Sequence, residues 1–269
     1  MNLGFCSLSS SSSGNCYFIM SDNTCILVDA GISRNKIYEN MKFFNVLPRG
    51  IRHLLLTHEH GDHVRSAAAI ATKSIYSKIY ATEGTLMGLD EKLQAMKGDR
   101  VVTITPSKKF IIEDVEITPF RVSHDANEPV AFTFEKNQKK VTIVTDTGCV
   151  TEEIKEAIKG SDILVLESNH EKNILLYGSY PYSVKRRILS DEGHLSNEAA
   201  GNCLVEYLDD LKGSKVPKVL LAHLSQKNNT PDQAFLTVKN ILEEADYYVG
   251  KDLVLDVIVK DQITDLIWV

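Results

Sequence analysis

The chain has 269 residues, 43% of them hydrophobic and 25% charged, with a formal net charge of −6. This composition suits a soluble globular protein with a sizeable core. It excludes a global basic footprint for nonspecific adhesion to nucleic acid but leaves a local basic patch open. Five cysteines, an odd number with no Cys-x-x-Cys spacing, exclude a disulfide framework and a Cys-based zinc ribbon. No apolar run nears the roughly 20 residues of a membrane span and no signal-peptide pattern opens the chain, so the cytoplasm is the expected compartment.

Residues 3–8 read as a strand, followed by Ser9-Ser10-Ser11-Ser12-Ser13-Gly14-Asn15. A serine run is usually a flexible linker, but between two apolar strands it reads as a loop within the sheet. Residues 16–21 and 24–29 form a hairpin around the turn pair Asp22-Asn23, ending in Asp29-Ala30-Gly31. Ser33 is a candidate N-cap for a helix over 34–44. The apolar run 51–56 reads as a buried strand of a mostly parallel sheet. It leads into Thr57-His58-Glu59-His60-Gly61-Asp62-His63, which packs three imidazoles and a carboxylate into a turn at the strand's C-terminal end. Open α/β sheets place their ligands there. Imidazole nitrogen and carboxylate oxygen are first-row metal ligands. In an extended turn His58 and His60 point the same way, whereas Asp62 and His63 lead into a helix over 64–72 and face a second point. One short turn could therefore hold two ions. The plain alternative is a surface loop rich in His and Asp, but a spacing this dense favours metal.

Residues 78–82 form a short strand and 85–96 a helical piece. Residues 100–105, 109–113 and 115–120 alternate apolar and polar as half-buried antiparallel strands do, and Arg121-Val122-Ser123-His124-Asp125 closes that meander. A hairpin over 130–135 and 140–145 crosses at Asn137-Gln138 and ends in Asp146-Thr147-Gly148. Thr151 can cap the next helix, with Glu152 and Glu153 favourable in its first turn. The apolar strand 163–166 ends in Glu167-Ser168-Asn169-His170. A less regular segment then carries Lys185-Arg186-Arg187 and Gly193-His194-Leu195-Ser196-Asn197. Ala200, Cys203, Leu204, Tyr207, Leu208 and Leu211 repeat at helical spacing. Residues 218–222 form a strand ending in His223. Thr230-Pro231-Asp232-Gln233 is a capping box with Pro at the first helical position, opening a helix to about residue 244. Residues 253–259 are a late strand. No short repeat and no linker divides the chain, so one domain over 1–269 is expected. Of eight histidines, only His53 sits within an apolar strand, as a satisfied core or edge histidine; the other seven fall at strand ends or in loops.

His58-x-His60-x-Asp62-His63, then His124, then Asp146 in Thr145-Asp146-Thr147-Gly148, then His223 in Ala222-His223-Leu224 resemble in order and spacing the metal motifs of the metallo-β-lactamase fold superfamily. Asp29-Ala30-Gly31 resembles its first short motif, and the resemblance covers nearly the whole chain. It implies an α+β fold, an αββα sandwich of two mixed sheets flanked by helices, with the metal site at one edge. It also implies His58, His60 and His124 as ligands of one ion, Asp62, His63 and His223 of a second, and Asp146 as their bridge. Such a set of nitrogen and oxygen ligands leaves zinc, manganese and iron open.

Within the superfamily, Ser7-Leu8-Ser9 through Gly14-Asn15, Glu167-Ser168-Asn169-His170, and Gly193-His194-Leu195-Ser196-Asn197 followed by Glu198-Ala199 resemble the YycJ-like (WalJ-like) branch. That branch implies a dinuclear metal-dependent phosphodiester hydrolase, a 5′–3′ exonuclease on double-stranded DNA. A hydroxide held between the ions would attack phosphorus, with Asp62 orienting it. DNA is favoured over RNA as the substrate, no membrane partner is expected, and the oligomeric state is left open. His194 is the candidate general acid. It precedes Ser196, the expected cap of a helix whose N-terminus favours phosphate. Ser196, Asn197, Arg187 of the basic triplet and Asn15 of the serine loop are candidate substrate contacts. His170 reads either as a support to the site or as a surface residue. The alternatives are a thioester or lactone hydrolase of the glyoxalase II type, a phosphodiesterase for small cyclic phosphodiesters, and a non-catalytic metal-stabilised protein. The His194 segment and the basic triplet favour phosphate, and the complete ligand set argues against the last.

Overall fold

Short apolar runs bounded by polar turns become strands of two mixed sheets in the computed structural model, which describes residues 3–73, 77–95 and 100–269. The first sheet takes β1 (Gly4–Ser9), β2 (Cys16–Met20), β3 (Cys25–Val28), β4 (His53–Leu55), β5 (Lys78–Ala81) and β6 (Val101–Thr103) in sequence order. The second takes β7 (Phe110–Ile112), β8 (Val115–Arg121), β9 (Val130–Lys136), β10 (Lys139–Val144), β11 (Ile163–Glu167), β12 (Lys218–Ala222) and β13 (Val254–Val257), again in sequence order. The C-terminal β14 (Ile267–Trp268) returns to the outer edge of β1. In each sheet an antiparallel half adjoins a parallel half: β3 to β6 run parallel, as do β10 to β13.

Ten helices cover the sheets among the described residues. They are α1 (Arg34–Lys42), α2 (Gly61–Val64), α3 (Ala67–Lys73), α4 (Glu83–Gly88), α5 (Glu91–Gln94), α6 (Glu152–Ile158), α7 (Lys172–Tyr177), α8 (Tyr182–Ile188), α9 (Asn197–Leu211) and α10 (Pro231–Glu244). The apolar residues sort into three layers. Phe5, Tyr17 and Val28 of the first sheet meet Phe132, Ile143 and Val165 of the second between the sheets. Phe18, Leu27 and Leu54 face Ile37 and Met41 of α1 and Ile70 of α3. Val144, Leu166 and Leu221 face Ile154 of α6, Leu204 of α9 and Val238 of α10. Both faces of the central strands are therefore apolar, which is why they read as continuous hydrophobic runs rather than alternating ones. The architecture is the expected α+β sandwich with helices on both outer faces. No helix among the described residues is long and apolar enough to cross a membrane.

Ser33, Thr151 and Thr230 each accept a hydrogen bond from the backbone N–H three residues on, as their positions before apolar periodic stretches predict. Several expectations need correction. Residues 100–105 do not join the antiparallel meander: β6 pairs parallel with β5, in the opposite sheet. Alternation marks a half-buried strand but does not choose its neighbour. The strand expected over 51–56 is shorter, because Pro48–Gly50 forms a 3-10 turn and pairing starts at His53. The helix expected over 64–72 is two, α2 and α3, and Ser66 between them donates its hydroxyl to Ile32 O. The piece expected over 85–96 is likewise two short helices, each with its own cap, Thr82 and Asp90; Met96 lies outside the described residues. The segment read as irregular before Gly193 contains α7 and α8, and the basic triplet sits in the last turn of α8, where cations suit the helix dipole. His53 is half-buried at the start of β4, an interior strand, and its Nδ1 lies 3.1 Å from the Tyr80 hydroxyl, a satisfied histidine.

Candidate metal centre

The strands' C-terminal ends bring the scattered polar residues together. Asp29 follows β3, Asp146 follows β10 and His223 follows β12. All three have left-handed backbone, with φ of 63°, 58° and 57°. Asp and His tolerate this region better than most residues but still at a cost. The sharp turn swings each side chain off its strand and across the sandwich edge.

The structure brings together all seven residues expected as ligands. The donor atoms of His58, His60 and His124 lie within 4.8 Å of one another, as do those of Asp62, His63 and His223, and those of His58, His63 and Asp146. Asp146 is central: its Oδ2 is 3.2 Å from His63 Nε2, and its Oδ1 is 3.5 Å from His223 Nδ1 and 3.8 Å from His124 Nε2.

Partners outside this group fix the tautomers. A carboxylate or carbonyl oxygen can only accept, so the ring nitrogen facing it carries the proton. His63 Nδ1 is 2.7 Å from Asp29 Oδ2, His124 Nδ1 is 3.1 Å from Gly193 O, and His223 Nδ1 is 2.8 Å from Glu167 Oε1. The Thr57 hydroxyl donates to Asp29 Oδ2, which leaves its oxygen to accept from His58 Nδ1 at 3.0 Å. Four rings thus turn Nε2 inward. His58 Nε2, His223 Nε2 and Asp146 Oδ2 are buried and have no hydrogen-bond partner. Such groups are costly to leave bare, and cations held by these groups of donors would satisfy them.

The electrostatics agree. Burial pushes His223 down, but Asp146, Asp62 and Glu167 outweigh it and lift the imidazole to about 10. Burial also opposes charge on His63, yet the Asp146 and Asp29 carboxylates hold it well above its ordinary range. Asp146 is held well below the carboxylate range by His223 and His63, although burial opposes this. His58, surrounded by other rings, is driven well down by burial and by His63. The carboxylates of this buried edge call for positive charge, which protons or metal ions can supply. The donor set fits first-row divalent cations.

The centre floors a cleft of about 260 Å³ whose walls include Ser12, Asp62, Tyr180, Arg187 and His194. His194 is mostly buried, and its Nδ1 is 2.8 Å from Glu167 Oε1. Glu167 is not among the site residues the sequence points to, because an acid closing an apolar strand reads as a strand boundary. It is wholly buried and holds both His194 and His223. Against burial, these two rings pull its carboxyl down to about 2. The signal in the sequence is its place at the head of Glu167-Ser168-Asn169-His170, one of the segments that carry the resemblance. Arg187 lines the cleft and forms a forked ion pair with Asp125, with Nη2 2.8 Å from Oδ1.

Three of the residues expected to touch substrate are turned into the protein instead. Asn15 is fully buried; its Oδ1 accepts from Ser11 N and its Nδ2 lies 3.0 Å from His63 Nε2. Ser196 caps α9 as expected, but its hydroxyl is committed to Ala199 N. Asn197 is fully buried among Ser168, Asn229 and Glu171. Polar residues beside strand ends look accessible in sequence, and here they join the loops behind the cleft. His170 is no surface residue. It is 1% exposed, its carbonyl accepts from Asn197 N, neither ring nitrogen has a partner, and burial lowers it to about 4. In the serine run, Ser10 receives His223 N–H at 2.9 Å, and Ser12 reaches the cleft.

Comparison with known proteins agrees with this geometry. Residues 24–224 match the β-lactamase superfamily domain. The chain is 36% identical over 251 residues to the exodeoxyribonuclease YycJ of Bacillus anthracis, covering 93% of each chain. It is 36% identical over 253 residues to the exodeoxyribonuclease WalJ of Streptococcus pneumoniae serotype 2 (strain D39 / NCTC 7466), covering 91% of this chain and 90% of the relative. Among solved structures, the metallo-β-lactamase fold protein YhfI of Bacillus subtilis superposes with a TM-score of 0.73 at 14% identity, over 98% of this chain and 99% of that one, a likeness of fold. The protein belongs to the metallo-β-lactamase fold superfamily, in the family of the YycJ and WalJ exodeoxyribonucleases.

Proposed function

We propose that the protein is a dinuclear metal-dependent phosphodiesterase that acts as an exonuclease on DNA. One observation carries this: seven nitrogen and oxygen donors from across the chain converge in groups joined by Asp146, with His58 Nε2, His223 Nε2 and Asp146 Oδ2 buried and without a hydrogen-bond partner. His58, His60 and His124 would hold one ion, Asp62, His63 and His223 the other. Two divalent ions in such a site supply an activated water and charge neutralisation at phosphorus.

The chain's own groups supply the rest. Asp62 is partly exposed to the cleft and sits beside His63 and His223, where its carboxylate can orient the attacking water. Glu167 fixes the proton on His194 Nδ1, so proton delivery to the leaving sugar oxygen falls to Nε2. Arg187 at the cleft wall is placed to hold a phosphate of the strand without reading bases. The relatives' names supply the choice of DNA; a 5′–3′ direction on duplex substrate is part of the same proposal.

The test is an assay on end-labelled single- and double-stranded DNA and RNA, with manganese or zinc restored to chelated protein, beside elemental analysis. Metal-dependent release of nucleotides from DNA ends is expected. His194→Ala should lose turnover with its metal content intact. Full metal loading without hydrolysis of any phosphodiester would end the proposal.

A further inference from the structure

The segment from Lys172 to Ser190 contributes to the cleft wall and carries a surface that the hydrolytic chemistry does not explain. Tyr180, Val184, Arg187 and Ile188 line the cleft wall. Yet α7 and α8 bury only Leu175 and Ile188. Tyr177 is 89% and Tyr182 78% exposed, and Leu176 and Leu189 are also exposed. The same stretch holds four cations, Lys172, Lys185, Arg186 and Arg187, and no carboxylate, in a chain of net charge −6. Lys172 and Arg187 have ion-pair partners in Glu198 and Asp125. Lys185 and Arg186 face no carboxylate among the described residues. At the lip, the Lys227 ammonium lies 5.3 Å from the centre of the Tyr180 ring.

Exposed aromatic surface beside a cleft marks a binding surface. Rings alone would suit an apolar protein partner. Rings interleaved with cations suit a polyanion that also offers flat π faces, a nucleic-acid strand with unpaired bases. Paired bases within a duplex keep their faces stacked on one another, so tyrosines could reach them only at an opened end.

We propose that Tyr177, Tyr180 and Tyr182, with Lys185 and Arg186, form a stacking platform for unpaired nucleotides, and that DNA enters the cleft as an opened end. This rests on the phosphodiesterase reading above and adds the form of substrate and the residues that select it. Tyr180 lines the cleft and Tyr177 and Tyr182 lie within three residues of it in the chain, so nucleotides held on the platform would continue into the cleft.

The test compares the full-length metal-loaded protein with Tyr177→Ala/Tyr182→Ala and with Tyr177→Phe/Tyr182→Phe. Fluorescence anisotropy follows a labelled phosphorothioate single strand, which resists hydrolysis, and a duplex closed by hairpins at both ends. Wild type should bind the single strand more tightly than the closed duplex. The alanine variant should bind the single strand about tenfold more weakly or worse, the loss expected of removing base–aromatic stacking. The phenylalanine variant should restore affinity, since it keeps the rings. Hydrolysis of bis(p-nitrophenyl) phosphate, which fits within the cleft that Tyr177 and Tyr182 do not line, should be equal in all three. Equal single-strand affinity in wild type and alanine variant would overturn the platform. So would a change from dimer to monomer on sedimentation, which would assign the patch to a second copy of the chain. Failure of wild type to hydrolyse the small ester would count against the phosphodiesterase reading, whereas strand affinity reports on the platform.

Discussion

Gly31 is the position where a single methyl group should have its largest effect. The loop after β3 passes so close to the His58–His63 turn that a Cβ at residue 31 would lie 1.5 Å from Asp62 O, 2.3 Å from Asp62 C and 2.7 Å from Asn15 N. The first contact must open to at least about 3 Å, so the 29–31 loop and the 61–63 turn must part by roughly 1.5 Å between them. They cannot part freely. Asn15 N–H donates to Asp62 O at 2.8 Å, Ala30 N–H to His63 O at 2.7 Å, and Gly31 N–H to Asn15 O at 2.8 Å. Metal–ligand distances hold to within about 0.2 Å, so even a small share of this displacement, passed to Asp62 and His63, would take them out of reach of the ion they are proposed to hold. Gly31→Ala should lower metal affinity by about 10- to 100-fold, and the overpacking should cost about 1–3 kcal/mol of stability. Elemental analysis after dialysis and a thermal melt would measure both. Wild-type metal content with an unchanged Tm would refute the reasoning, since the backbone would then have yielded without disturbing the turn.

Asp29→Asn replaces an acceptor of three hydrogen bonds, from Thr57 N, Thr57 Oγ1 and His63 Nδ1, with a group that must present NH₂ to at least one donor. Weaker metal retention by about 10- to 100-fold is expected; an unchanged metal dissociation constant would show that Asp29 does not orient His63. Chelation should lower Tm, because a cation present at about 100 times its dissociation constant adds about 2.7 kcal/mol to the folded state; coincident melts with and without chelator would count against a resident metal. In chelated protein, Glu167 is carried from 4.5 to about 2 by His194 and His223 against the opposing effect of burial. Its depressed folded value means that its stabilisation is complete above about 4.5 and is lost as pH falls towards 2. Glu167→Gln should therefore lower Tm above that window and flatten the decline within it. An acid limb as steep as that of wild type would remove Glu167 from the account.

What the amino-acid order determined by itself is local. Apolar runs ending in His, Asp or Glu marked the strand termini, and His58 to His63 lie close enough in the chain to suggest a candidate metal turn without a fold. The caps at Ser33, Thr151 and Thr230 were legible for the same reason, since a cap acts within one helical turn. Which sheet β6 joins, and the return of β14 to β1, depend on pairings between distant segments, and the local pattern does not encode those partners. The fold also decided burial. Asn15, Ser196 and Asn197 look like substrate contacts in the chain, but packing turns them inward, while Glu167, given no site role in the sequence, becomes the buried carboxylate that holds two imidazoles. A side chain's chemistry is written in its identity, but its partners, its protonation and its access to solvent are set by which other segments the sandwich lays against it.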